Sequence, residues 1–326
     1  MEYRRLGNSG LMVSAIGLGT NMVGTDLDAG GIDRVLGAFL DGGANFVDTA
    51  DAYPPGRTPG LSEEMIGVAL KAPGRRQKVI LATKVASKVG DGPNDVGTSR
   101  QHIIEGVNAG LRRLDVDHMD LLQMHRADVN TPIEETLGAL DDLVRAGKIR
   151  YIGCSNYTGW MVVEAMWASK REHFASYVSV QPEYNILSRG IERELMPACQ
   201  KYGVGIIPFY PLAGGFLTGK YLPGAEAPAD TRGARRPQSV ARWQNDRNFE
   251  TIGKLDAFAQ ARGHTIAELA MAWLLAKPMV ATVIAGTSRP EQATANCKAA
   301  DWKLTAAEVK ELDDLTAWAV TAPAGR

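Results

Sequence analysis

Short apolar runs alternate with amphipathic segments along most of this chain, and several of the runs end on a polar residue. A hairpin pattern comes first: Arg4-Arg5-Leu6, a turn at Gly7-Asn8-Ser9-Gly10, then Leu11-Met12-Val13. Beyond it, strand-like runs are expected over residues 15–18, 44–47, 79–83, 119–124, 149–154, 178–180, 204–209 and 281–284. Helical spacing falls between them. Residues 30–41 carry Ile32, Val35, Leu36, Phe39 and Leu40 at helical intervals. A helix is expected from Ser62, with Ser62 as N-cap and Glu63 and Glu64 in the first turn. Others are expected over 99–114, 133–146 (ended by Gly147), 159–168, 191–202 (stopped by Gly203) and 290–299. A last helix over about 305–317 opens on the capping-box pattern Thr305-Ala306-Ala307-Glu308.

Repeated strand–helix units argue for a parallel sheet. Eight core strands suggest that the sheet closes, giving an α/β fold of (β/α)8 TIM-barrel type with an N-terminal β-hairpin. The stretch from Tyr210 to about Arg247, after strand 7, carries Gly, Pro and Arg with little periodicity. Loops this long in compact domains are functional or disordered. No linker divides the chain, so residues 1–326 are expected to form a single domain. Gly17-Leu18-Gly19 follows a strand, but the next glycine of a dinucleotide fingerprint falls two places late, at Gly24, and no helix opens there. That motif is read as a glycine-rich turn.

The polar residues at the strand ends carry the chemistry. Asp48 stands at the end of one run and Tyr53 in the loop beyond it. Lys84 and His125 follow two later runs. In a parallel barrel these ends share one face, where active sites form. A phenol has an unperturbed pKa of about 10 and needs help to donate a proton at neutral pH. The ammonium of Lys84 can stabilise the phenolate, Asp48 can hold Lys84, and His125 can orient a carbonyl or share the proton. Taken singly, each has a structural reading: a cap, a buried pair, a core histidine. Four on three successive strand ends make coincidence a poor account.

These residues, with others along nearly the whole chain, closely resemble the aldo-keto reductase family. The resemblance is carried in order by the segments 6–14, 17–20, 48–53, 62–67, 82–84, 121–125, 147–156, 181–185, 208–213, 217–221 and 286–296. It implies that Asp48, Tyr53, Lys84 and His125 form a catalytic tetrad. It implies NADPH, less often NADH, bound in extended form across the barrel mouth. Ser155, Asn156 and Gln181 match residues that hold the nicotinamide carboxamide, and Tyr210 matches the aromatic that stacks on the ring. Pro211, Leu212, Gly214, Leu217, Gly219 and Lys220 resemble the pyrophosphate segment. Gly19, Thr20, Asp48 and Gly286 are also expected along the cofactor. Arg232 is expected to close over it, making the long loop a lid. Ser288, Arg289, Gln292 and Asn296 match the adenosine end, and Ser288 and Arg289 could take a 2′-phosphate.

The implied reaction is reversible, NADPH-dependent reduction of an aldehyde or ketone to an alcohol. Hydride would come from the nicotinamide and the proton from Tyr53, with Lys84 and Asp48 lowering its pKa. The chain looks most like a bacterial, channel-β-subunit-like branch. That leaves open an NADP(H)-binding redox sensor or auxiliary subunit with slow turnover. A Schiff-base lyase using Lys84 is a remoter reading. Two departures from the family pattern stand out. Residues 54–61 lengthen the loop after Tyr53, and the tail after the last helix, ending Ala322-Pro-Ala-Gly-Arg326, is short, so the long C-terminal substrate loop of steroid and aldose reductases is not expected.

Composition changes the picture little. The 326 residues are 45% hydrophobic with a formal charge of -1, which gives no electrostatic case for nucleic acid or an anionic membrane. The cluster Arg232, Arg235 and Arg236 is the local exception, a solvated loop or an anion site. No apolar run approaches the ~18 residues of a membrane span. The N-terminus lacks a signal-like apolar core, and the three cysteines (Cys154, Cys199, Cys297) have no CxxC spacing. A cytoplasmic protein without a disulfide framework is expected, acting on a small-molecule carbonyl substrate. No histidine spacing suggests a metal.

Overall fold

Alternation of side chains along each strand sorts the residues of this protein into two cores. The computed structural model describes residues 1–321. Residues 322–326, on which the expectation of a short tail rests, lie outside the described residues. β1 (Tyr3–Arg5) and β2 (Met12–Ser14) pair as an antiparallel hairpin. Eight further strands follow: β3 (Ile16–Gly19), β4 (Phe46–Asp48), β5 (Ile80–Val85), β6 (Met119–Met124), β7 (Ile149–Ser155), β8 (Tyr177–Gln181), β9 (Gly205–Ile206) and β10 (Val283–Gly286). All neighbours are parallel, in the order β10-β3-β4-β5-β6-β7-β8-β9. The ring closes through a parallel bridge of Ile206 with Val280, and through Ala281 N–H donating to Ile206 O (3.0 Å) and Ile284 N–H to Pro208 O (3.1 Å). The expected barrel is what forms.

Successive residues of a strand face opposite sides of the sheet. Val47, Leu81, Leu122, Met124 and Val180 therefore face the surrounding helices and join the large outer core. Phe46, Ala82, Leu121, Ile207, Ala281 and Ile284 face inward, and Leu6 and Val13 of the hairpin pack with them. The hairpin thus plugs the barrel at the N-terminal ends of its strands. Two residues further along β4, β5 and β6, the same inward face presents Asp48, Lys84 and Gln123. The interior is apolar below and polar above, and the polar layer opens at the C-terminal ends.

Several elements differ from expectation. β9 is two residues long rather than six: Pro182 has no N–H to continue the ladder from β8, and Pro208 has none to give toward β10. The helix at Leu61–Leu70 begins one residue before Ser62, behind Gly60 in a left-handed conformation. Ser62 is instead buried beneath the mouth, its hydroxyl 3.1 Å from Thr20 O and 3.0 Å from Thr49 Oγ1. Two long helices, Asp246–Gln260 and Ile266–Leu275, were not expected. The second is buried on nearly every side, so it lacks the polar stripe by which a surface helix is recognised. The region from Tyr210 to 245 also holds short helical turns at Ala213–Thr218, Arg232–Arg235 and Gln238–Ala241. The capping box at Thr305 and Glu308 is present, as expected.

Gly7 shows how tightly the plug fits. Its φ is +54°, and a Cβ there would lie 2.3 Å from Val178 O and 2.7 Å from Gly203 O. A Gly7→Ala variant should lose more than about 1 kcal/mol of stability. The check is urea unfolding, in which the midpoint falls while the slope is kept.

Candidate active site

β4 and β5 stay in register beyond Asp48, with Thr49 N–H donating to Ala82 O (2.9 Å) and Asp51 N–H to Lys84 O (3.0 Å). This continuation carries the chain over the barrel mouth and sets Tyr53 beside Lys84. Lys84 is 0% exposed. Its ammonium has three protons to donate and three acceptors near it: Asp48 Oδ2 at 2.5 Å, Thr49 O at 3.0 Å and Tyr53 Oη at 3.4 Å. The other carboxylate oxygen of Asp48 accepts from Gln123 Nε2 (3.1 Å) and Gln181 Nε2 (2.9 Å). An ammonium only donates, so the proton of Tyr53 is not consumed in its contact with Lys84.

His125 follows β6, with its N–H donating to Val85 O at 2.7 Å. Its ring meets that of Tyr53 edge-on, with centroids 5.6 Å apart. Ser87 Oγ lies 3.0 Å from Nδ1. Asn156, in a left-handed conformation (φ +60°), donates from Nδ2 to His125 O at 2.9 Å.

Burial and charge shift these groups in distinct directions. Burial raises the Tyr53 phenol above its ordinary value, against the opposing pull of the Lys84 ammonium. Asp48 was expected to help lower that pKa. Directly it does the reverse, because its negative charge disfavours a phenolate, and its part is to hold Lys84 in place. Burial disfavours the Lys84 ammonium, but the charges of Asp48 and Tyr53 outweigh it and leave the pKa raised. Burial, with the charges of Lys84 and Arg126, pushes His125 down to about 3.

Above these residues an elongated cavity of about 590 Å3 crosses the mouth. Asp48, Tyr53 and His125 line one part of it, and Lys84 lies sealed behind them. Of the residues expected along a cofactor, Gly19, Thr20, Ser155, Asn156, Gln181, Tyr210, Pro211 and Leu212 line it. So do Gly214, Lys220, Arg232, Gly286, Ser288, Gln292 and Asn296. Leu217, Gly219 and Arg289 do not. Leu217 is 0% exposed and packs its apolar side chain into the outer core. Gly219 caps a helical turn with φ +73°. Arg289 is exposed and its backbone is the N-cap of the helix Pro290–Ala299. A smaller cleft of about 400 Å3, lined in part by Asp28, Arg34 and Ser288, adjoins the far end.

The cavity suits an extended dinucleotide. Gly19 of β3 and Gly286 of β10 are partners in register, so two adjacent strand ends leave the rim bare of side chains. A Cβ on Gly19 would lie 2.6 Å from Ile284 Cγ2. Lys220, Arg232 and Arg235 bring positive charge to the cavity wall, suited to phosphates. The arginine cluster also ties the loop down. Arg236 reaches Met22 Sδ (2.6 Å) and Thr25 Oγ1 (3.1 Å), Arg235 faces Asp26 (3.6 Å), and Arg232 lies over the Tyr210 ring. At the other end Ser155 Oγ donates to Gln181 O (2.7 Å) and receives Asn156 Nδ2 (3.1 Å).

The aldo/keto reductase family model matches residues 15–317. The chain belongs to the aldo/keto reductase family. It is 37% identical to the uncharacterized oxidoreductase YrpG of Bacillus subtilis over 97% of this chain and 96% of that one. It is 39% identical to a probable voltage-gated potassium channel subunit beta of Arabidopsis thaliana, over 92% of each. It is 35% identical to L-glyceraldehyde 3-phosphate reductase of Escherichia coli, over 92% of this chain and 87% of that one. The protein is thus an oxidoreductase of the aldo/keto reductase family, with the family's barrel.

Three residues in this aldo/keto reductase site were not picked out in the sequence. Gln123 stands two places before His125, where strand alternation points a side chain inward. That signal was available. Ser87 and Arg126 leave their strands into loops, where no periodicity applies.

The histidine shift has a measurable consequence. Its folded pKa of about 3 lies below the ordinary value of 6.5. Between those pH values the unfolded chain binds a proton that the folded one refuses, so this group's contribution to stability rises with pH and is complete above about 6.5. The His125 imidazole signals in NMR should therefore stay in the neutral form from pH 8 to below pH 5.

Proposed function

We propose that this protein reduces an aldehyde or ketone to an alcohol with NADPH. The observation that carries the reading is the Lys84 ammonium, buried and shared among Asp48, Thr49 O and the Tyr53 hydroxyl at the base of the cavity. NADPH held in the cavity would supply the hydride for the carbonyl carbon. Tyr53 gives its proton to the carbonyl oxygen as negative charge develops there, and the adjacent ammonium stabilises the phenolate left behind. Asp48 keeps Lys84 charged and aimed, and Gln123 and Gln181 hold Asp48. In the tautomer in which Nδ1 accepts from Ser87 Oγ, His125 carries its proton on Nε2 and donates to the same oxygen while remaining neutral. Ser155, Asn156 and Gln181 would hold the carboxamide and Tyr210 the ring. Lys220 and Arg232 would meet the pyrophosphate, with Ser288, Gln292 and Asn296 at the adenosine end. Ser288 at that end, with Arg34 in the adjoining cleft, supports a 2′-phosphate and so NADPH over NADH.

The relative named for L-glyceraldehyde 3-phosphate supports a small aldehyde as substrate. The relatives named as channel β subunits support a second reading, a slow-turnover NADP(H) sensor or auxiliary subunit. Among the described residues no helix is long and apolar enough to cross a membrane. We place the protein in the cytoplasm.

Oxidation of NADPH, with NADH in parallel, against a panel of aldehydes and ketones separates the readings. Turnover on one class supports the reductase. Tight NADPH binding with no turnover supports the sensor. Tyr53→Phe should lower kcat by about 10²–10⁴-fold and leave NADPH affinity nearly unchanged. An equal loss in both would remove the role given to Tyr53.

A further inference from the structure

The cations around the cavity are almost all accounted for. Lys84 is spent on Asp48 and Tyr53. Arg235 faces Asp26, Arg232 reaches Asn21 Oδ1 (3.4 Å) and the Tyr210 ring, and Lys220 lies over the ring of Tyr221. Arg126 is different. It follows His125 directly, lines the same cavity, and has no ion pair or hydrogen bond to its side chain among the described residues. The acid nearest in sequence, Asp128, is committed elsewhere. It accepts from Thr98 N–H (3.0 Å), Asn130 N–H (3.0 Å) and Thr131 Oγ1 (2.8 Å). The remaining unpaired acid on the wall, Asp230, sits on the lid two residues from Arg232. The charge of Arg126 is felt at the imidazole, where it helps keep His125 neutral.

A guanidinium with no side-chain partner among the described residues, at the lip of the site and next to His125, has one obvious use. Its planar fork matches a carboxylate or phosphate. We propose that Arg126 is a specificity-determining residue and that the substrate is a short carbonyl compound carrying an anionic group, carboxylate or phosphate. The carbonyl oxygen sits between Tyr53 and His125, and the anion turns outward to Arg126. The inference rests on the carbonyl-reductase reading above. Arg126 is exposed, so water and salt weaken the attraction. It selects among substrates without taking part in hydride or proton transfer.

The test uses two matched pairs with the full-length enzyme and NADPH: glyceraldehyde against its 3-phosphate, and butanal against succinic semialdehyde. In the wild type the anionic member should have the higher kcat/KM by about tenfold in at least one pair, a size expected of one charge-assisted contact. The pair that shows it identifies phosphate or carboxylate. Arg126→Leu should cut the ratio about tenfold, through KM rather than kcat, while Arg126→Lys keeps much of it. Rising salt should narrow the wild-type preference. A ratio near one in both pairs, or a ratio that Arg126→Leu does not move, overturns the inference while leaving the reductase reading in place. No turnover on any of the four compounds removes the reductase reading, and this inference with it.

Discussion

The rest of the site depends on one buried ion pair. Lys84 and Asp48 are both almost wholly removed from water, and neither charge is tolerable there alone. Removing one partner of such a pair costs about 3–5 kcal/mol, because the other is left charged and dry. The pair holds because each atom with hydrogen-bonding capacity is used. Two amides serve one oxygen of Asp48, the ammonium serves the other, and the remaining ammonium protons go to a carbonyl and a phenol. The pair is also what makes the phenol chemically distinctive. Burial alone would leave Tyr53 an inert acid, and the fixed cation beside it supplies the counter-charge for losing a proton.

The barrel makes the pair possible by layering its interior. The hairpin closes the N-terminal end with Leu6 and Val13, and Phe46, Ala82 and Leu121 fill the space above. Water is excluded from below, and one strand alternation later the polar layer starts. Access is left to the C-terminal face, where strands give way to loops. There the long segment after β9 folds across the mouth and is fastened by arginines to the loop after β3. The strands supply the buried floor of the site and the loops much of its wall. Arg126, Pro55 and Met22 are loop residues that line the cavity.

Much of this was legible in the sequence, and the exceptions have physical causes. The strand runs ending in Asp48, Lys84 and His125 were visible because a buried strand is apolar and its last inward residue need not be. The helix at Ile133–Arg145 was visible because one face is polar. Ile266–Leu275 was not, because burial on nearly every side erases the amphipathic signal. Ser62 has the chemistry of a cap and the position of one, yet Gly60 begins the helix and Ser62 turns inward to Thr20 and Thr49. Leu217 lies within a segment that resembles a cofactor-binding one, but its side chain is in the core. Resemblance of a segment does not by itself tell which of its side chains face the cavity.

The sequence by itself determined the order of elements, the closure implied by eight strand units, and the identity of the acid, phenol, amine and imidazole. Those follow from periodicity and residue type, which are local properties. Tertiary structure alone decided how the groups act on one another. Whether Asp48 lowers or raises the Tyr53 pKa depends on where each charge sits, and the direct effect proved opposite to the one expected. Whether His125 is charged depends on its burial and on two cations, one of them distant in sequence. Whether an arginine is a lid tie or a free cation depends on which carboxylates lie within reach. Electrostatic energy is a function of distance and dielectric surroundings, and neither is written in the order of residues.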